Sequence, residues 1–404
     1  MKRKILFIFL LILITGCSYD PYEMPKDAYI NSNDVTYEVY DTNAKLFDLI
    51  GDNNVDIISK DKNISTKKLG SNKVTIKYKY KRKRREYKYD IIYKVIDTTK
   101  PIFLSADENI TMLKGEEKDF CEKINIADNY DNDVKCNIEG NIDINTVGKY
   151  NLKYVITDNS DNKDEKDFTV NVVEKINSYG GGSSNYTAPK RLEFSDVITN
   201  YKTDDNMIGI DVSYWQQNID FEKVKNAGCE FVIIRIGVNS NIDKDISVDS
   251  FYEKNIKAAK KAGLKVGVYA YTTAINEDMA KQHAKWILKT LNKEKLDFPI
   301  AFDWENWDSF RSYKISMYDL TNTYLTFQKE LKKEGYDAML YSSMNYLNKI
   351  WMFNDTYPVW LAHYTDKTTY EGKYMMWQMS SIGKIDGITG NVDIDIYYKG
   401  ADYE

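Results

Sequence analysis

The sequence predicts a multidomain chain, two β-sandwich modules followed by an irregular α/β barrel. Three observations lead to this reading. The chain has 404 residues, more than one hydrophobic core usually serves, since domains cluster near 100–150 residues. From Tyr29 to Lys175 the apolar residues fall in short β-type runs separated by Asn, Asp and Gly clusters, with no helical period. Beyond a Gly- and Ser-rich stretch, strand-like runs alternate with amphipathic helices, the pattern of α/β architectures. Charge is nearly balanced, Lys and Arg totalling 56 against 61 Asp and Glu for a formal net charge of −5. That balance excludes a wholesale nucleic-acid binder, and no nucleic-acid partner is expected.

Taken in order, the chain opens with Met1-Lys-Arg-Lys4 and an apolar run from Ile5 to Ile14, well short of the ~20 residues that cross a bilayer as a helix. The run ends in Ile14-Thr15-Gly16-Cys17, which resembles the bacterial lipobox, whose cysteine is lipidated and becomes the new N-terminus. Residues 1–16 are therefore read as a lipoprotein signal peptide, Cys17 as the lipidation site and residues 17–27 as a tether. The expected location is the extracellular face of the bacterial cytoplasmic membrane, with acyl chains as the anchor.

Residues 28–98 and 99–175 read as tandem modules. Asn54-Val-Asp-Ile-Ile leads through Gly70 to Val74–Tyr80 and ends at Ile91–Val95, while Asn141-Ile-Asp-Ile leads through Gly148 to Tyr150–Ile156 and ends at Phe168–Val173. The shared order is a turn, a glycine, an alternating strand, a hairpin and a final strand. The second module, with Asp97-Thr-Thr-Lys-Pro101, Ala127-Asp-Asn-Tyr-Asp-Asn132 and Val155-Ile-Thr-Asp-Asn-Ser160, resembles the bacterial immunoglobulin-like repeats of cell-surface proteins; the first is a weaker match. Such modules usually act as spacers, and two in series would lift a catalytic domain ~50 Å off a membrane. Outside the cell, Cys121 and Cys136 are candidates for a disulfide within the second module. The first module carries Lys77-Tyr-Lys-Tyr-Lys-Arg-Lys-Arg-Arg-Glu-Tyr-Lys-Tyr89. This run reads either as a hairpin with a packed tyrosine face and solvated lysines or as a groove for an anionic wall polymer. Residues 176–203, rich in Gly and Ser around Ser178–Pro189, read as a flexible linker.

Residues 204–404 then offer strands at Met207–Asp211, Phe231–Ile236, Lys265–Tyr271, Pro299–Asp303, Ala338–Tyr341, Pro358–Ala362, Met375–Gln378 and Val392–Ile396. Helical stripes lie between them, Ala280, Ala284, Ile287, Leu288 and Leu291 in one and Leu320, Tyr324, Phe327 and Leu331 in another. After Tyr341 little room is left for long helices, so the last third of the barrel is expected to be irregular. Cys229, at the start of an apolar strand, reads as a buried, inert thiol.

In parallel barrels the reactive groups sit where strands end. Here the strand ends supply Asp211, Asp303 with Glu305 just beyond, and Asp393 with Asp395. Asp303 and Glu305 are two apart, so their side chains share a face with backbones about 6.5–7 Å apart. Two like charges that close oppose joint ionisation, and Trp304 and Trp307 add apolar surroundings. One acid then stays protonated, as cleavage of a glycosidic bond requires: a general acid protonates the leaving oxygen while an anionic group steadies the charge developing at the anomeric carbon.

At this point the motifs carry a resemblance. Ile210-Asp-Val-Ser-Tyr-Trp-Gln216, Phe231-Val-Ile-Ile-Arg-Ile-Gly237, Gly267-Val-Tyr-Ala-Tyr271, Phe302-Asp-Trp-Glu305, Val359-Trp-Leu-Ala362, Met376-Trp-Gln378 and Gly387-Ile-Thr-Gly-Asn-Val-Asp393 resemble, in order, the family 25 glycoside hydrolases, the Chalaropsis-type lysozymes. The resemblance implies a TIM-like barrel of five β/α units followed by mostly bare strands. It implies N-acetylmuramidase activity on the β-1,4 bond between N-acetylmuramic acid and N-acetylglucosamine in peptidoglycan glycan strands. It makes Glu305 the general acid and Asp303 its partner, with Asp211 and Asp393 lining the same cleft. Of the aromatics in the matching motifs, Tyr214, Tyr269, Tyr271, Trp360 and Trp377 are candidates for stacking on sugars, and His363 and Gln378 for substrate contact. His283 reads as structural. No cofactor or metal is implied, and the sequence shows no clustered metal ligands. Two other readings stay open: a chitinase-like glycosidase, which also uses Asp-x-Glu, and a catalytically silent wall-binding module. The spacing leaves the retaining, inverting and substrate-assisted routes open as well.

Overall fold

In the computed structural model the chain is described over residues 24–81, 85–176 and 190–400. The signal peptide, Cys17, residues 82–84 of the basic run and residues 177–189 of the linker lie outside the described residues. The chain divides after Thr98 into two compact units.

The first unit has a four-stranded sheet ordered Thr36–Glu38, Tyr87–Ile96, Gly70–Lys79, Asp56–Ile57, and a two-stranded sheet pairing Ile30–Ser32 with Ile50–Asn53. The basic run lies on its long hairpin, where Lys77 pairs with Lys88 and Tyr78 with Tyr87. Period-two alternation decides which side chain goes where: Tyr78, Tyr80 and Tyr87 are buried while Lys77 and Lys88 face solvent.

In the second unit, the module after Thr98 repeats this arrangement strand for strand. Its sheet runs Asn109–Leu113, Lys163–Val173, Gly148–Thr157, Lys135–Glu139, and a small sheet pairs Ile102–Ser105 with Asn125–Ala127. In both modules the last long strand pairs in parallel with the short strand at the sheet edge. Tyr154 stacks on Phe168 at 3.9 Å in the core, and Cys121 and Cys136 form a disulfide.

The barrel strands are β1 (Asn206–Val212), β2 (Phe231–Val238), β3 (Lys265–Tyr271), β4 (Ile300–Asp303), β5 (Ala338–Ser343), β6 (Val359–Ala362), β7 (Met376–Lys384) and β8 (Val392–Tyr398). Helices α1 (Phe221–Asn226), α2 (Tyr252–Lys261), α3 (Glu277–Leu291), α4 (Met317–Lys333) and α5 (Met344–Lys349) follow the first five strands. β1 to β7 are parallel neighbours in sequence order, and β8 runs antiparallel between β7 and β1 to close the barrel. No helix joins β6, β7 and β8, in keeping with the helix-poor tail of the sequence. Even-numbered residues of β1, such as Ile208 and Ile210, pack outward against the helices, while Met207 joins Phe231, Ile233, Ala301, Met339 and Trp360 inside. The interior is tight: a Cβ on Gly209 would sit 2.5 Å from the Phe231 ring.

Two expectations change. Within the stretch read as linker by composition, Leu192–Glu193 pairs with Gly383 and Lys384 of β7, and Phe194–Tyr201 is a helix. Phe194, Val197, Ile198 and Tyr201 recur at helical spacing and pack on the barrel core, so the catalytic body begins near Leu192 rather than at 204. The second module, moreover, is no free spacer. Ala127 is part of the barrel's core cluster, with Ile102 and Leu104 packed on it. The first turn of α4, whose N–H groups have no partner within the helix, donates from Met317 to the Asp128 carbonyl (2.8 Å) and from Tyr318 to that of Asn129 (3.3 Å).

Because Phe194 is buried to 2 % exposure, Phe194→Ala is expected to destabilise the barrel by about 3–4 kcal/mol, read as a lowered urea midpoint in the full chain. An unchanged midpoint would return this segment to the linker.

Candidate active site

The carboxylates gather at one end of the barrel because inward-facing residues alternate along every strand. Asp211 ends β1 and lies directly across from Asp393 in the antiparallel pair with β8. Since β8 runs backwards, its beginning, not its end, meets the ends of the parallel strands. Asp303 ends β4, flanked in register by Tyr271 of β3 and Tyr341 of β5. Glu305 lies two residues further on the same face.

Hydrogen bonds fix this set. Tyr341 and Tyr364 both donate to Gln378 Oε1, at 2.8 and 3.0 Å, which turns the Gln378 amide nitrogen toward Asp211 Oδ2 at 2.7 Å. The Trp360 indole donates to Asp395 Oδ1 at 2.9 Å. Asp303 is 6 % exposed, and its Oδ1 has no hydrogen-bond partner among the described residues. Arg235, also buried, is held by Asp249 with Nε and Nη2 both 2.8 Å from Oδ2.

Electrostatics favour protons here. Burial, then the charge of Glu305, holds Asp303 well above the usual carboxylate range, with Arg235 pulling the other way. Burial raises Glu305 as well. Its side chain still meets water within the cleft. Asp211 and Asp395 are raised well above the normal range, each by burial first and the neighbouring Asp393 charge second. Asp393 rises to about 6, mainly through burial. The arrangement is therefore a proton-holding mouth in which Glu305 alone among these carboxyls is exposed to solvent.

The aromatics expected to stack on sugars divide by burial. Trp360 and Trp377 are 1 % and 3 % exposed, so neither offers a ring face to a ligand. Trp360 orients Asp395, and the Trp377 indole donates to the His363 carbonyl at 2.8 Å. Gln378, also buried, holds Asp211 rather than lining an open surface. Tyr269 and Tyr271 are half-buried, and Tyr214 is exposed. His363 is half-buried with Nδ1 2.9 Å from Thr368 Oγ1. His283 is buried with Nδ1 2.7 Å from Thr272 Oγ1, and burial lowers its pKa to about 4, which suits the structural role read from sequence. Cys229 is buried, its thiol donates to the Phe231 carbonyl, and burial pushes its pKa up to about 12.

Trp215 was missed. It is 69 % exposed beside Tyr214, ring centroids 4.4 Å apart, just past the end of β1. Asp249 holds this turn by accepting from the Tyr214 N–H at 3.0 Å, and the Arg235 guanidinium lies 4.9 Å from the Tyr214 ring. The Asp249 anchor carried no sequence signal, since it lies 35 residues from Tyr214. Tyr341 was findable, because it lies across the ladder from Asp303 on the inner face. Away from the barrel, folding also brings together carboxylates that look scattered in sequence. Asp128, Asp131 and Asp158 of the second module belong to a buried cluster with ligand atoms within 4.8 Å of one another. Asp131 accepts from Asn159, and Asp158 from Ser160 and Asn162.

Residues 210–388, which carry this site, match the model of the glycosyl hydrolases family 25. The barrel is a family 25 glycoside hydrolase domain. Residues 102–172 match the Ig-like domain of bacterial surface proteins, so an immunoglobulin-like module precedes the family 25 domain. The chain is 29 % identical over 198 residues to the autolytic lysozyme of Clostridium acetobutylicum, 48 % of this chain and 56 % of that protein. It is 26 % identical over 202 residues to lysozyme M1 of Streptomyces globisporus, 46 % of this chain and 65 % of that protein. Among solved structures it is similar to the modular autolysin LytC of Streptococcus pneumoniae, with 27 % identity, a TM-score of 0.43, and coverage of 49 % of this chain and 48 % of that one. The chain thus spans roughly half to two thirds of these relatives.

A carboxyl whose folded pKa lies above its ordinary 3.8 destabilises the fold once ionised. For Asp393 at about 6, the native state holds a proton that the unfolded chain has released, so its contribution is full below pH ~4 and lost as pH rises through ~6. Asp393→Asn should therefore raise stability by about 3 kcal/mol at pH 7.5 and by nothing at pH 3.5, read by thermal unfolding at both. A gain independent of pH would contradict the assignment.

Proposed function

We propose that the family 25 domain hydrolyses the β-1,4 bond between N-acetylmuramic acid and N-acetylglucosamine in peptidoglycan. The observation that carries this reading is the pairing of Glu305, exposed in the cleft with its proton affinity raised, with the buried Asp303 two residues before it. The pair titrates as a unit, and the proton that remains on it after the first ionisation is the one delivered. Glu305 gives that proton to the glycosidic oxygen as the bond breaks. Asp303, with one unpartnered oxygen, accepts the N–H of the sugar's acetamido group and steadies it while the acetamido carbonyl attacks the anomeric carbon. Water, deprotonated by Glu305, then opens the resulting ring with retention. Asp211, held by Gln378, and Asp393 keep the opposite wall acidic and polar, and Trp215 with Tyr214 offers an open ring face to a sugar beyond the scissile bond.

We also propose that the first module is a second immunoglobulin-like sandwich, supported by its strand order, which repeats that of the second module. The lipobox-like run supports anchoring through Cys17 at the outer face of the cytoplasmic membrane. Cys17→Ala should then release the protein into the medium, and a variant that stays in the membrane fraction would overturn the anchor.

Glu305→Gln should keep the fold and lose at least about a thousandfold in kcat (~4 kcal/mol of transition-state stabilisation) in a turbidity assay on purified peptidoglycan. Wild-type fragments should carry N-acetylmuramic acid at the reducing end by mass spectrometry. In the same assay Trp215→Ala should raise KM about tenfold with kcat little changed. Cleavage of chitin alone supports a chitinase-like enzyme, and inactivity of both wild type and Glu305→Gln supports a binding module. An inverted product anomer by proton NMR overturns the acetamido route.

A further inference from the structure

The second module is fastened to the barrel on the flank that carries the chain away from Glu305. There the backbone coils tightly, Trp307 N–H donating to the Glu305 carbonyl at 2.9 Å, Phe310 to Trp307 at 3.3 Å and Tyr313 to Ser309 at 3.0 Å. The Arg311 guanidinium donates to the carbonyl of Cys121, a residue that the disulfide to Cys136 ties to the edge strand of the module. The module also supplies the carbonyls that cap α4. Both walls of the junction are thus fixed, one by the disulfide and one by the coil.

Between these walls lies an open groove of ≈ 720 Å³. Asp119, Glu122, Lys123 and Asp133 face it from the module, and Asp308 and Lys314 from the barrel. All six are exposed, and among the described residues none of them belongs to an ion pair. Charges of both signs that converge on one confined space without neutralising each other suit a ligand that also carries both. Asp308 is three residues past Glu305, so its Cα lies within about 11 Å of that of the acid.

We propose that this groove binds the peptide branch of the strand being cut, its acidic side chains taking the free amino group of the branch and Lys123 and Lys314 its carboxylates. The inference rests on the reading of the family 25 domain as a peptidoglycan hydrolase. In a peptidoglycan strand the N-acetylmuramic acid at the scissile bond is the sugar that bears the peptide, so a groove whose barrel wall starts three residues past the acid lies within reach of that branch. The immunoglobulin-like module is on this account a wall of the substrate site, contributed from outside the barrel.

The test compares two substrates with the full chain: glycan strands bearing intact peptides, and the same strands stripped of them by an amidase. Wild type should show a KM about tenfold lower on peptide-bearing strands. Charge reversal on the module wall, Lys123→Glu with Asp133→Lys, should abolish that difference and leave stripped strands as the internal control. Both side chains are exposed, and Lys123→Ala alone should show part of the same effect. Equal KM on the two substrates in wild type overturns the proposal, as does a reversal variant that loses on both alike. Cleavage of neither substrate by wild type overturns the muramidase reading and this inference with it.

Discussion

The burial of several like-charged carboxyls at one end of the barrel is the constraint from which the remaining features follow. Five acids on the inner faces of β1, β4 and β8 and just past β4 cannot all ionise in the space they share. The protein meets this by holding protons among them and by setting polar hydrogens against the oxygens that stay bare: the Gln378 amide on Asp211, the Trp360 indole on Asp395. The nearest buried cation is Arg235, already engaged by Asp249, so the mouth is kept acidic instead of being neutralised. Such a site costs stability, and the packed interior beneath it, with Phe231 pressed against Gly209, offsets that cost with apolar contact.

Much of this was legible because barrel strands announce themselves locally. Eight apolar runs spell out the strand order, and the two-residue spacing of Asp303 and Glu305 puts them on a shared face. Burial was harder. Trp360 and Trp377 read like platforms for sugars because motif and residue type suit both roles, and only the fold decides that Trp360 lies inside the barrel and Trp377 under the Phe194–Tyr201 helix while Trp215 lies out. Composition misled at Phe194–Tyr201, where a Gly- and Ser-rich approach hid an amphipathic helix that begins directly after it. The junction between the second module and α4 had no local signal, since carbonyls of Asp128 and Asn129 meet amides almost 190 residues away.

That junction alters how the domain organisation is understood. A module that caps a helix of its neighbour and contributes to its core shares its stability, so the two should unfold as a coupled body and not in independent steps. The covalent order places the module first, yet its contacts are with the middle of the barrel, with the chain running on through β1, β2, β3 and β4 before returning to it. The second unit therefore has long-range contacts at its centre, which slows folding relative to a barrel assembled from adjacent β/α pairs alone.

The buried thiol of Cys229 sets a condition on how the chain reaches this state wherever the Cys121–Cys136 disulfide can form. Three cysteines lie beyond residue 17, and in the folded molecule two are bonded and the third is enclosed at the start of β2. Before the barrel closes, all three are equivalent to an oxidant. A bond from Cys229 to either of the others would pull the first residues of β2 out to the module's surface and leave the barrel open between β1 and β3. The yield of active molecules then depends on a race between barrel closure and thiol oxidation, and removing the spectator thiol while keeping its volume relieves the race without touching the catalytic mouth.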